Sequence, residues 1–199
     1  MPIAPTLWLQ QGHSYDLQSI LFEKGWTKAF LKPVVGLCAW ETLRFELNAE
    51  GLLDAQKHLE RNLVSQSMML QPYLASVETV GEFSTIYFGG AFSHAVQKVP
   101  VPGDYRVQDD FGASDHAIEA SDELLSLSGR VLDCVGKVMK RKHPSLRLPL
   151  VYARIDYLQS GVGDLWVNEV ELIEPSLFFR HDPERGMKLA KYIQACLKE

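Results

Sequence analysis

The sequence predicts an α+β fold with antiparallel sheets packed with helices, arranged in two lobes. Three observations carry this. Alternating apolar runs come in adjacent pairs with glycine turns between them, as hairpins require. Helical patterns separate groups of strands rather than following each strand, which argues against a parallel βαβ sheet. The chain also turns from helix-rich to strand-rich near Leu70, and its 199 residues, 46% hydrophobic, are enough for two small cores.

Taken in order, "SYDLQSILFEKG" predicts a short helix with Ser14 as N-cap, Leu17, Ile20 and Leu21 on one face and Gly25 as the stop. "KAFLKPVVG" and "TLRFEL" read as strands. "GLLDAQKHLERNLVSQSMML" reads as a helix with a stripe of Leu52, Leu59 and Leu63. From Leu70 to Val99 two alternating runs meet at Gly89-Gly90, predicting a long ribbon with a two-residue turn. "PVPGDYRVQDDFGAS", from Pro100 to Ser114, reads as a mobile loop. A long amphipathic helix is expected from Asp115 to about Arg141, with Ile118, Leu125, Leu132 and Met139 as its core stripe. A second hairpin covers Val151 to Ile173, and a closing helix starts at Asp182-Pro183, an N-cap followed by proline.

The formal charge of -5 argues against general affinity for nucleic acid or anionic membrane. The basic run from Lys137 to His143 falls at the end of a helical pattern, where cations complement the helix dipole. Cys38, Cys134 and Cys196 are odd in number and far apart, so they read as packing residues in a reducing compartment. The six histidines show no metal-ligand pairing. With no apolar run of membrane-spanning length and no signal-peptide pattern in "MPIAPTLWLQQG", the expected location is the cytoplasm.

The segment "VNEVELIEP" is the exception to ordinary strand chemistry. In a strand Glu169 and Glu171 share one face, while Val170 and Leu172 pack on the other. Like charges on a half-buried face repel unless something positive lies between them. With Gly161-Val162-Gly163-Asp164 as the tip, the hairpin register sets Leu158 opposite Val167, Asp156 opposite Glu169 and Arg154 opposite Glu171. Asp156, Glu169 and Glu171 then converge as oxygen donors suited to magnesium. The competing reading is a solvated face with an Arg154–Glu171 ion pair, and a one-residue slip would undo the geometry.

"ARIDY" followed by "NEVELIEPS" resembles the metal-binding end of the ATP-grasp ligases, such as D-alanyl-D-alanine ligase and glutathione synthetase, where an Arg-x-Asp strand precedes a Glu-x-Asn strand. "FLKP" is similar to that family's phosphate-lysine strand, "LQPYL" to its hinge beside the adenine, and "GEFS" to its ribose-binding strand. The resemblance runs from about Phe30 to Phe179, and its strength lies in the order of short motifs. It implies an ATP-grasp fold with a smaller lobe at 1–72, a larger lobe with the metal-binding hairpin at 73–199, and the nucleotide between them. It further implies that Lys32 contacts ATP phosphates, that Gln71, Tyr73 and Leu74 frame the adenine, and that Glu82 binds the ribose. Asp156, Glu169 and Glu171 would hold magnesium, Arg154 would face the acyl phosphate as the catalytic residue, and Lys98 and Arg106 would add phosphate contacts.

Each role has a plainer competitor. Lys32 reads equally as an edge-strand lysine, Gln71, Tyr73 and Leu74 as linker, and Glu82 and Lys98 as decoration of an exposed ribbon. Arg106, among Asp104, Asp109 and Asp110, reads also as a local ion pair. The chain departs from the family pattern at Glu171, where asparagine is usual. It also begins too late to contain the α/β domain that precedes the ATP-grasp region, so the expectation is either a fragment or shortened homologue, or a homo-oligomer or partner chain that supplies that wall. The implied activity is an ATP- and magnesium-dependent carboxylate–amine ligase acting through an acyl phosphate on small-molecule substrates, a ring-closing ligation included, with the 100–114 loop closing over the nucleotide. Glu174, Ser176 and Arg180 would lie near those substrates. The alternatives are a nucleotide-binding module without turnover and an interaction protein with an acidic sheet face.

Overall fold

The computed structural model describes residues 1–36, 39–107 and 111–198. Cys38, Asp109 and Asp110, and with the last two part of the 100–114 loop, lie outside the described residues. Contacts divide the chain into two units, Ile3–Ala75 and Met1–Pro2 with Ser76–Glu199. The division falls at 75/76, where the sequence expectation put it at 72/73.

The first unit contains β1 (Leu7–Leu9), α1 (Leu17–Lys24), β2 (Lys28–Pro33), β3 (Leu43–Glu46), α2 (Ala49–Leu63) and β4 (Met68–Pro72). The four strands form an antiparallel sheet in the order β1-β4-β2-β3. Leu9, Ala29, Leu31, Phe45, Met68 and Leu70 turn to one face and pack with Leu17 and Leu21 of α1 and Ala55, Leu59 and Leu63 of α2. Asp16, not Ser14, caps α1 by accepting from Gln18 N, and Gly25 ends it in the left-handed region. The predicted long helix stops at Leu63: residues 68–72 instead pair with both β1 and β2, and those ladder bonds outweigh a helical continuation of the leucine stripe.

The second unit contains α3 (Ser76–Thr79), β5 (Glu82–Phe88), β6 (Ala91–Val99), β7 (Ser114–Ile118), α4 (Asp122–Lys142), β8 (Tyr152–Gln159), β9 (Leu165–Glu171), a 3₁₀ turn (Phe179–His181) and α5 (Pro183–Cys196). Its antiparallel sheet runs β7-β6-β5-β8-β9. The ribbon begins at Glu82 rather than Leu70, and its turn is Gly89-Gly90, both at positive φ (57° and 77°), which a tight two-residue hairpin needs. Ser121, whose side chain accepts from Leu124 N, starts α4. Ile118 therefore lies in β7. The buried face of α4 is Leu124, Leu127, Ser128 and Val131, not the expected heptad, with Leu132 only partly packed and Leu125 and Met139 half-buried. Lys140, Arg141 and Lys142 fill the last turn of α4, as the dipole argument expects. Asp182 caps α5 and Pro183 follows. Cys134 and Cys196 are half-buried free thiols rather than core residues. Among the described residues no helix is long and apolar enough to cross a membrane.

The two faces of the five-stranded sheet differ. One packs Tyr87, Ala153, Ile155, Tyr157 and Val167 against α4. The other carries Ile86, Phe88 and Val96 under Phe178 and Leu189 at one end, and at its opposite end a group of charged side chains.

Candidate metal and nucleotide site

The charged group arises from strand register. Arg154 lies opposite Glu171 and Asp156 opposite Glu169, as the hairpin tip predicts. Beyond Asp156 a β-bulge intervenes, and Tyr157, not Leu158, faces Val167. The extra residue is Asn168. The bulge turns Val167 into the α4 core and lets Asn168 reach across β8, where its Nδ2 donates to Glu82 Oε1 at 3.3 Å. Alternation cannot anticipate this, because an unpaired residue resets the period of two.

Across the sheet Glu82 lies opposite Lys98, and Ser84 opposite Asp156. Gly81 permits the close approach: at φ +81°, a Cβ there would meet the Lys98 carbonyl oxygen at 2.1 Å. Lys98 Nζ sits 3.3 Å from Glu82 Oε2 and 3.4 Å from Asp156 Oδ2. Asp156 accepts from Ser84 Oγ at 2.5 Å and from Arg154 Nε and Nη2 at 2.9 to 3.1 Å. Arg154 Nη2 also donates to Glu171, and its Nη1 to the Ser176 carbonyl at 3.3 Å. Negative and positive groups thus alternate from Glu171 through Arg154, Asp156 and Lys98 to Glu82. The solvated-face reading is overturned for Glu82, Lys98, Arg154 and Asp156, which are all buried.

Burial and partners set the protonation of this chain. For Asp156 burial favours the acid, but Lys98, Arg154 and Ser84 outweigh it and hold its carboxyl below the usual range. Burial pushes Glu82 up to about 7 against the pull of Lys98, with Asp156 and Glu169 adding to the rise. Glu171 is also raised, first by burial. Burial favours a neutral Lys98, yet Glu82 and Asp156 more than reverse it and raise its pKa.

Asp156, Glu169 and Glu171 each offer one oxygen within 4.8 Å of the others. Three hard carboxylate donors at that spacing fit an octahedral magnesium ion after a small closure. Glu169 is exposed, whereas Asp156 and Glu171 share Arg154.

The remaining expected residues are placed as follows. Lys32 is on β2, an interior strand, so edge protection does not explain it; it shares with Gln71 the sheet face away from the helices. Gln71 donates to Thr6 Oγ1 at 2.8 Å. The Tyr73 ring lies 5.2 Å from both Lys28 Nζ and Arg44 Cζ, and its hydroxyl accepts from Arg44 at 3.1 Å. Leu74 follows β4, half-buried. Arg106 grips Asp104 through Nε and Nη2 and lies 3.9 Å over Phe111, and its hydrogen bonds hold Asp104 well below the usual carboxylate range, so the local ion pair accounts for these contacts. Sequence reasoning missed Ser84 and Asn168. In the segment after β9, where the sequence expectation puts Glu174, Ser176 and Arg180 near substrates, Glu174 and Phe178 have positive φ (47° and 51°) and His94 bonds the Leu177 carbonyl at 2.9 Å. Arg180 and His181 of that segment both pair with Asp115.

No protein-family model matches the chain. The cycloserine biosynthesis protein DcsG of Streptomyces lavendulae is 29% identical over 179 residues, which is 84% of this chain and 54% of that protein. The crystal structure of D-cycloserine synthetase DcsG superposes with a TM-score of 0.80 at 26% identity, over 98% of this chain and 65% of that one. The ATP-grasp ligase PsnB, solved with Mg, ADP and a phosphomimetic variant of a minimal precursor, gives 0.62 at 19% over 98% and 53%. D-alanine–D-alanine ligase from Bacillus anthracis, solved with ATP, gives 0.66 at 15% over 100% and 60%. The chain spans about half the length of the curated relative it matches and under two thirds of these solved chains.

Proposed function

Given that the chain has the fold of the ATP-grasp ligases, we propose that it is an ATP-dependent carboxylate–amine ligase that forms an amide through an acyl phosphate. The observation that carries this reading is the trio Asp156, Glu169 and Glu171, whose oxygens lie within 4.8 Å on two directly paired strands. These residues would hold magnesium, which supplies charge neutralisation at the transferring phosphoryl group. Lys32, Lys98 and Arg106 would contact the phosphates, Gln71, Tyr73 and Leu74 the adenine, and Glu82 the ribose hydroxyls.

In the proposed reaction a substrate carboxylate oxygen attacks the γ-phosphorus, the bond to the β,γ-bridging oxygen breaks, and ADP leaves. An amine nitrogen then attacks the acyl carbon, phosphate departs and the nitrogen loses a proton. Arg154, held by Asp156, Glu171 and the Ser176 carbonyl, would stabilise the tetrahedral oxyanion, a role in which one donor is worth roughly 3 kcal/mol. Substrates are small molecules carrying a carboxylate and an amine, on one molecule or two. The cytoplasm is the proposed location.

Calorimetry with Mg-ATP, alongside ADP release in the presence of mixed amino acids, tests the reading. Binding that is lost in both Asp156→Asn and Glu169→Gln, with ADP release dependent on a carboxylate and an amine, supports it. Binding without ADP release identifies a nucleotide-binding module instead. Binding untouched by either substitution sinks the metal assignment.

A further inference from the structure

Asn168 is the residue that the β9 bulge adds to the charged face. Under strict alternation it would share the α4 side of the sheet with Val170. Instead its amide crosses β8 to reach Glu82 Oε1 at 3.3 Å, while Lys98 Nζ lies 3.3 Å from Glu82 Oε2. One donor on each oxygen fixes the plane of a carboxylate that is itself 4% exposed. An ionised carboxylate has about four lone-pair sites. With Asn168 on one oxygen and Lys98 on the other, each oxygen keeps one further acceptor site, a pair carried on one oriented carboxylate. That arrangement suits a ligand offering two adjacent hydroxyl donors, a vicinal diol. As a neutral donor, the amide adds neither a second competing cation nor another negative charge to a face already crowded with carboxylates.

We propose that Asn168 is a positioning residue that orients Glu82 toward a vicinal diol and thereby makes the site select ribonucleotides over deoxyribonucleotides. This rests on the proposed nucleotide reading of the same face. It goes beyond that reading by assigning the selectivity to a residue two strands away from the carboxylate it controls. Without the amide, Glu82 keeps its charge partner Lys98 but regains rotation about its terminal torsion, which is broad and roughly two-fold. The diol then loses a prealigned acceptor pair, whereas a deoxyribose, which never used both acceptors, is little affected.

The test is calorimetric titration of the full chain, and of Asn168→Ala and Asn168→Asp, with Mg-ATP and with Mg-2′-deoxy-ATP. Thermal melts of each variant establish that it is folded. The wild-type chain should prefer ATP by about tenfold or more, the discrimination expected when a hydrogen bond to a charged group is lost. Asn168→Ala should reduce that preference to within about threefold, by weakening ATP while leaving deoxy-ATP nearly unchanged. Asn168→Asp, isosteric but without the donor, should abolish the preference as well, which a merely structural role for the amide would not require. Should both variants fold and keep the wild-type ratio, or should the wild-type chain show no preference, the inference is overturned while the ligase reading stands. Should the wild-type chain bind neither nucleotide, the ligase reading itself fails and the inference falls with it.

Discussion

Replacing Glu82 with glutamine should change how stability depends on pH, and the structure fixes the sign. A carboxyl that binds its proton more tightly when folded than when unfolded contributes stability only while protonated. Glu82 rises from 4.5 to about 7, first because of burial. Its contribution is therefore fully present below about pH 4.5 and is lost as the pH climbs through 7. Each tenfold change in proton affinity is worth about 1.4 kcal/mol, so the loss amounts to roughly 3 kcal/mol between those limits. Asp156 works in the opposite sense, since its carboxyl is held low and its stabilisation disappears only as the pH falls below its ordinary 3.8. The two windows are separate. Urea unfolding of the wild-type chain and Glu82→Gln at pH 5 and pH 8 reads the difference directly, because groups such as His94 are common to both. The variant should gain about 2 to 3 kcal/mol relative to wild type on going from pH 5 to pH 8. Parallel pH profiles for the two proteins would refute the burial argument.

Three further substitutions probe the supports of the charged face. Lys98→Met strands Glu82 and Asp156 without their shared cation; by urea unfolding at pH 8 it should cost about 3 to 5 kcal/mol, and less at pH 5, where Glu82 takes up its proton. Gly81→Ala forces a Cβ against the Lys98 carbonyl at positive φ, and the same assay should show a loss of about 2 kcal/mol or more. Asp115→Asn removes the anchor of Arg180 and His181. Because Arg180 is 45% exposed on its side chain, the stability cost should be only about 1 kcal/mol, but limited proteolysis should cut the 173–182 segment faster.

The sequence made the local part of the site legible and hid the part that depends on distant pairing. Counting outward from a tip at Gly161–Asp164 gives Arg154 against Glu171 and Asp156 against Glu169, but the pairs beside the turn, Leu158 with Trp166 and Gln159 with Leu165, are shifted by one, and the extra residue Asn168 restores the expected register at the acids. Counting fails at Asn168, because a bulge leaves no trace in hydrophobic alternation. Ser84 could not be assigned to Asp156 without knowing that β5 pairs with β8, a contact 72 residues apart. The α4 stripe was misread for a related reason. Leu125 and Leu132 hold heptad spacing as well as Leu124 and Val131 do, and only the position of the sheet decides which set is buried. Met68–Pro72 shows tertiary pairing overriding a helical pattern, since both of its edges find ladder partners.

The charge count on this face leads to one more expectation. Glu82, Asp156, Glu169 and Glu171 are four carboxylates, and among the described residues Lys98 and Arg154 are the two cations paired with them. The shortfall of two positive charges equals the charge of one divalent ion. Burial is the main cause of the raised pKa of Glu82, and the neighbouring charges of Asp156 and Glu169 add to it, so this carboxyl takes up a proton on the face. A magnesium ion at Asp156, Glu169 and Glu171 would favour the ionised form of Glu82 and expel that proton. Near pH 7, with the carboxyl about half protonated beforehand, up to about half a proton should be released per ion bound. Titrating Mg-ATP in buffers of different ionisation enthalpy measures that number, and Glu82→Gln should reduce it. Proton release that is equal in the wild-type chain and in Glu82→Gln would mean that Glu82 does not sense the ion, and the electrostatic link between the metal trio and the nucleotide carboxylate would have to be abandoned.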